Sequence, residues 1–244
     1  MPTRHRPIRS VALALTIVAV IAAAVLVTTL RGEVPPRHHY VAAAENRAAP
    51  LRVTVVGDSF AAGVGADAPT GGYAYAAAAR GCWTPTLVAS SGTGYARVRF
   101  PGTVPFTDPT RLAAVAASNP DVVVVQGSGN DVGDDGLRAA ATAMYAALAV
   151  IVPRARVVVV GPTDAPAARH ENIGRIRTIL AEVTRSAGVP FVDPAGARWL
   201  DWTTDYVADG IHPNAAGHRA MGERLAAEVA ALGVPRADGC RAAS

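Results

Sequence analysis

From residue 51 onward the chain alternates between two kinds of apolar pattern. Residues 51–56, 86–89, 122–126, 156–160 and 190–192 are short, nearly unbroken apolar runs of strand length, most of them dominated by valine. Between them lie longer alanine-rich segments, 110–118, 137–152, 173–187 and 215–232, that read as helices, with Pro153 and Gly188 as stops. Residues 72–80 read as a shorter helix beside a glycine-rich loop. Strands without polar alternation belong to sheets buried on both faces, and strand-helix alternation is the pattern of parallel βαβ units. The expectation is therefore an α/β fold, a three-layer αβα domain around a five-stranded parallel sheet.

A different pattern precedes this domain. Residues 11–30 contain no charge and are long enough for a helix to cross a hydrocarbon layer, which takes about 20 residues. A cleaved secretory signal has a shorter apolar core of about 7–15 residues with small residues directly after it. Here Ala42-Ala43-Ala44 stands well beyond the run. The length favours an uncleaved signal anchor, with a removed signal peptide as the alternative. Both export the rest of the chain. Arg4, Arg6 and Arg9 put a basic stretch, residues 1–10, on the cytoplasmic side. Residues 31–50, with Pro35-Pro36, form a linker to a domain spanning 51–244.

Charge adds little beyond this. The formal excess of +4 is carried by Arg4, Arg6, Arg9, Arg31 and Arg37 against Glu33, so the domain itself is balanced and no nucleic-acid-binding face is expected. Two cysteines, Cys82 and Cys240, suit an oxidising exterior and are expected to pair.

Chemistry enters where the first strand ends, at Gly57-Asp58-Ser59-Phe60, and again at Asp209-Gly210-Ile211-His212. A serine hydroxyl becomes a useful nucleophile when an imidazole takes its proton and a carboxylate fixes the imidazole tautomer. Ser59 at the carboxyl edge of a sheet is the expected nucleophile, His212 the base and Asp209 the orienting acid. Ser59 also suits a helix N-cap, His170 and His218 are alternative bases, and Asp201 and Asp205 are alternative acids. For the developing oxyanion the candidates are the Ser59 and Gly92 backbone N–H groups and the Asn130 side-chain amide, with Gly94 as the alternative to Gly92. The aromatic residues of 95–107, among them Phe100 and Phe106, and those of 199–206 are candidates for lining a pocket. No metal or other cofactor is called for.

Four short blocks in order, Gly57-Asp58-Ser59 with Gly63, Ser91-Gly92-Thr93-Gly94, Gly127-Ser128-Gly129-Asn130-Asp131 and Asp209-x-x-His212, resemble those of the SGNH (GDSL-type) hydrolase family. Two blocks depart from the pattern: Ala89 and Ser90 stand where an asparagine is common, and Ser128 replaces a glycine. The resemblance covers roughly residues 51–232. It implies a flavodoxin-like strand order, with the first and last helices on one face and the regions of Cys82 and Cys240 close together. It also implies hydrolysis of carboxylic esters through an acyl-enzyme, with the roles given above for Ser59, Asp209, His212, Gly92 and Asn130. The implied partner is an ester-bearing small molecule, lipid or cell-envelope glycan. An acyltransferase using the same site, or a catalytically silent glycan-binding domain, is the alternative.

Overall fold

The computed structural model describes residues 49–127, 129–133 and 136–234. The apolar run at 11–30, the basic stretch before it and Cys240 lie outside the described residues. Five parallel strands, β1 (Leu51–Gly57), β2 (Trp83–Ala89), β3 (Val122–Gln126), β4 (Arg156–Val160) and β5 (Phe191–Val192), form one sheet in the order β2-β1-β3-β4-β5. The helices are α1 (Tyr73–Gly81), α2 (Pro109–Ala117), α3 (Leu137–Ile151), α4 (His170–Ala187) and α5 (Ala215–Ala231), with a 3₁₀ turn at Gly129–Asp131.

Strand pleating sorts the valines between two cores. Val53, Val55, Val122, Val124, Val158 and Val160 face α1 and α5, whereas Val56, Val123, Val125, Val157 and Val159 face α2, α3 and α4. All five residues of β3 are buried, as its central place demands. The helix pair on the first face packs closely: a Cβ added at Gly222 would stand 2.5 Å from that of Ala76.

Two boundaries differ from the sequence expectation by more than a single residue. Strand β2 starts at Trp83, not Thr86, and runs through Pro85. It is an edge strand pairing only with β1, and an edge accepts proline because one side of its backbone needs no ladder bond. Helix α4 starts at His170, not 173, because its first turn is polar and lacks the apolar period, while Glu171 suits a helix start. Cys82 caps α1 with φ 54°, a left-handed conformation that turns the chain directly into β2.

Candidate active site

The first strand delivers Ser59 to the carboxyl edge of the sheet. Residues 58–65 turn tightly after β1: the Phe60 N–H donates to Asp58 Oδ1 at 2.9 Å, and the N–H groups of Ala62 and Val64 donate to Asp58 O and Ser59 O. Asp58, not Ser59, supplies the side-chain acceptor of this turn, so the capping alternative for the serine is not what the structure contains. Asp58 is packed beneath the turn against Gly127, whose φ of +114° and lack of a Cβ leave it room; an added Cβ would stand 2.4 Å from the Asp58 carboxylate.

Residues 201–214 bring the other two groups. Asn214 caps α5, its Oδ1 accepting from the Ala216 and Gly217 N–H groups at 2.9 and 3.0 Å. The amide of the same side chain donates back to Thr204 O and Tyr206 O, and an antiparallel bridge pairs Tyr206 with Pro213. The loop is thereby closed on the helix start, one residue from His212. There His212 Nε2 lies 2.9 Å from Ser59 Oγ and Nδ1 lies 2.6 Å from Asp209 Oδ2. Asp209 Oδ1 accepts the backbone N–H groups of Ile211 and His212 at 2.7 and 2.9 Å, so the carboxylate braces its own turn while holding the ring. Burial raises the Asp209 pKa, but the His212 side-chain bond and the two backbone bonds together outweigh it and keep the group below its ordinary value. With Asp209 ionised, Nδ1 carries the ring proton and Nε2 faces the serine as an acceptor.

The proposed oxyanion donors lie on two further loops. Gly92 adopts φ +71° and a Cβ there would stand 2.5 Å from the Phe100 ring, so both its turn and its contact require glycine. Among the described residues, neither the Ser59 nor the Gly92 backbone N–H makes a hydrogen bond. Asn130 Nδ2 donates one hydrogen to Thr93 O at 2.9 Å, which ties it to the same loop. Gly94 is spoken for: its N–H donates to Arg97 O and its Cα rests against Asp131.

The remaining sequence candidates take structural positions. His218 is fully buried, with Nδ1 accepting the Tyr73 N–H at 3.2 Å and Nε2 donating to Val64 O at 3.0 Å. Burial lowers its pKa, with the neighbouring His212 charge adding to this against the hydrogen bond to Val64. It joins α5, the start of α1 and the turn after Ser59 as a neutral ring. His170 pairs with Asp164 at 2.5 Å and stacks on Trp202. Asp205 accepts the Asp201 N–H, and Asp201 accepts from Thr203; neither bonds to His212. Phe106, expected near a pocket, is fully buried against Tyr95 and belongs to the core.

Two residues that the sequence pattern did not single out hold this site together. Asp131, fully buried, accepts the backbone N–H groups of Tyr95, Ala96 and Arg97 at 2.8, 3.0 and 2.9 Å, fixing the loop that carries Gly92. Arg111 of α2 is 6% exposed and donates to Gly57 O at 2.8 Å, Thr93 Oγ1 at 3.0 Å, Val88 O and Val104 O, with its guanidinium over the Phe106 ring. Burial lowers its pKa to about 10 in spite of the nearby Asp58 and Asp108 carboxylates. It ties the ends of β1 and β2 to the Gly92 loop from below. A signal for Asp131 existed in the Asn-Asp pair; none marked Arg111.

The profile of the GDSL-like lipase/acylhydrolase family matches residues 55–220. The chain is 33% identical over 187 residues to the GDSL lipase Rv0518 of Mycobacterium tuberculosis, covering 71% of this chain and 79% of that one. Among solved structures, a family two carbohydrate esterase of Clostridium thermocellum in complex with cellohexaose superposes with a TM-score of 0.60 at 21% identity, covering 79% of this chain and 67% of its own. Est24, a carbohydrate acetylesterase of Sinorhizobium meliloti, superposes with a TM-score of 0.58 at 20% identity, over 75% of this chain and 99% of its own. At those identities the two structures establish the shared fold.

Proposed function

Because the chain belongs to the GDSL-like lipase/acylhydrolase family and is a carboxylic ester hydrolase of the SGNH type, we propose that it works through a Ser59-His212-Asp209 triad and a covalent acyl-enzyme. The observation that carries this reading is the unbroken chain of contacts Asp209 Oδ2, His212 Nδ1, His212 Nε2, Ser59 Oγ, at 2.6 and 2.9 Å.

In the first half-reaction Ser59 Oγ attacks the ester carbonyl carbon while its proton passes to His212 Nε2. Asp209 stabilises the imidazolium through Nδ1–H. The carbonyl oxygen takes up the negative charge and receives hydrogen bonds from the Ser59 and Gly92 N–H groups and from the second N–H of Asn130 Nδ2. Collapse of the tetrahedral species breaks the bond to the alcohol oxygen, which leaves with the proton from Nε2. Water then attacks the acyl-serine, with His212 again taking the proton, and releases the carboxylic acid. A sugar hydroxyl in place of water makes the same machinery a transferase. A silent glycan-binding domain has no use for a serine hydroxyl poised on an aspartate-held imidazole.

The domain, 51–244, is exported, and residues 11–30 hold it at the membrane. The support is the charge-free run of 20 residues after three arginines. Cys82 pairs with Cys240, in keeping with that location; no cysteine is free among the described residues. Substrates are ester-bearing small molecules, lipids or cell-envelope glycans, in line with the lipase and carbohydrate-esterase activities named for its relatives.

The test is covalent labelling with a fluorophosphonate together with turnover of 4-nitrophenyl esters of graded chain length. Labelling that maps to Ser59, with activity lost in Ser59→Ala, supports the triad. A folded protein that neither labels nor turns over short or medium esters refutes it.

A further inference from the structure

Past the carboxyl ends of β4 and β5 lies a cavity of about 490 Å³ whose walls include Thr163, Asp164, Arg198, Asp201, Trp202 and Tyr206. It shares a wall with the catalytic loop. Residues 201–214 supply Asp201, Trp202 and Tyr206 to the cavity and also carry Asp209 and His212, and Tyr206 is bridged to Pro213, the neighbour of His212. On the opposite side the Ala167 N–H donates to Gly210 O, joining the loop after β4 to the Asp209–His212 turn.

The side chains around the cavity are held in place. Trp202 Nε1 donates to Asp164 O at 2.7 Å, and the Tyr206 hydroxyl donates to the same carbonyl at 3.2 Å. The His170 ring lies parallel to the Trp202 indole, centroids 4.9 Å apart, and is itself fixed by Asp164 Oδ1. That stack occupies one face of the indole. Trp202 nevertheless remains 50% exposed, an unusual state for a tryptophan so firmly anchored. The Thr163 hydroxyl, on a residue 7% exposed, finds no partner at ordinary hydrogen-bond length. Arg198 adopts φ +49°, a strained conformation for a side-chain-bearing residue and one found more often at ligand sites than elsewhere.

We propose that this cavity is a sugar subsite, holding the polyhydroxylated ring whose ester is presented to Ser59. The inference rests on the ester-hydrolase reading and narrows it. A fixed flat indole suits the C–H face of a pyranose. Carboxylates accept from hydroxyl groups, and a guanidinium and a threonine hydroxyl donate to them. Pro194, Ala195, Trp199 and Leu200 complete the wall, so the cavity is mixed in character, with apolar surface for the C–H groups of a ring and Asp164, Arg198 and Asp201 for its hydroxyls. The volume falls in the range of small-ligand pockets, about 300–1,000 Å³, and accommodates one or two rings.

The experiment compares the full-length wild type with Trp202→Ala and Trp202→Phe on 6-O-acetylglucose, 4-nitrophenyl acetate and 4-nitrophenyl octanoate. The expected result is a fall of at least tenfold in the ratio of kcat/KM for the acetyl sugar to that for nitrophenyl acetate in Trp202→Ala, with partial recovery in Trp202→Phe. In parallel, Ser59→Ala and Ser59→Ala with Trp202→Phe are titrated with cellobiose, chitobiose and xylobiose while tryptophan fluorescence is followed. Saturable quenching by at least one disaccharide, lost in the double variant, is expected. An unchanged ratio with no disaccharide response overturns the subsite, and a selective loss on the octanoate ester overturns it in favour of an acyl pocket. If wild type cleaves no ester yet Ser59→Ala binds a disaccharide through Trp202, the hydrolase reading fails and the sugar site stands. If nitrophenyl acetate is cleaved but no disaccharide binds and the ratio is unmoved, the reverse holds.

Discussion

Replacing Asp131 by asparagine removes a charge and almost no volume, so its effect measures the hydrogen bonds alone. One carboxylate oxygen accepts from Ala96 and Arg97 and the other from Tyr95, in a site with no solvent access. The amide oxygen of asparagine keeps the first two bonds but without the charge, a loss of about 0.5–1 kcal/mol each. Its NH₂ group then faces the Tyr95 N–H, donor against donor, leaving a buried N–H without an acceptor at a cost of about 1–3 kcal/mol. The sum is about 2–5 kcal/mol, a large part of the roughly 5–15 kcal/mol that stabilises a typical domain. Urea unfolding followed by far-UV circular dichroism should show the midpoint falling by roughly 1 M. Because the same bonds hold the loop bearing Gly92, kcat on 4-nitrophenyl acetate should fall at least tenfold under native conditions, within the roughly 100–1,000-fold attributable to one oxyanion donor. A variant that unfolds within about 0.2 M of wild type and retains kcat within twofold would show that Asp131 holds neither the fold nor the loop.

Other substitutions probe separate joints. Asp209→Asn should lower kcat by about 10²–10⁴-fold while fluorophosphonate labelling of Ser59 slows but persists, since the orienting group is lost and the hydroxyl is not; undiminished turnover would move the acid role elsewhere. Arg111→Met takes its donor from Val88 O and Thr93 Oγ1 and leaves Gly57 O with the Ser90 N–H alone, and should cost about 2–5 kcal/mol in urea unfolding, with Arg111→Lys recovering part of it. His218 is held neutral, burial keeping its folded pKa below that of a free imidazole, about 6.5, so the unfolded chain binds the extra proton and wild-type stability should fall as pH drops from about 6.5, by at most about 1.4 kcal/mol per pH unit from this group. His218→Gln should lose that part of the slope, and identical slopes for the two proteins would remove His218 from the account. Reduction should lower the stability of material prepared under oxidising conditions by up to about 5 kcal/mol in the chain-entropy limit for so long a loop, and the thermal midpoint should fall with it; mass spectrometry finding two free thiols would exclude a Cys82–Cys240 bond.

The groups that form the candidate triad were legible because each sits in a local sequence context with its own physical reason. Ser59 follows an unbroken apolar strand, and Asp209 and His212 share one short turn ahead of a helix with an evident cap in Asn214. The layers were legible for the same reason, since buried parallel strands leave uninterrupted valine runs. What stayed hidden depends on distant packing. Arg111 stands in an alanine-rich helix like any solvated arginine, and only the folding of residues 92–106 over α2 buries it. Phe106 looked like a pocket aromatic because loop residues carry no periodicity to reveal which side faces inward. Pro85 and the polar first turn of α4 misled for a simpler reason: an edge strand and an exposed helix start both tolerate residues that would break an interior element.

The serine and its imidazole are separated by 153 positions along the backbone and meet only across the finished sheet. A ribosomal product or proteolytic fragment ending before residue 209 contains the proposed nucleophile but neither the proposed base nor its carboxylate. With the proposed triad, hydrolytic power is withheld until the 201–214 loop has closed onto the turn after β1, and an incomplete or unfolded copy leaves esters untouched.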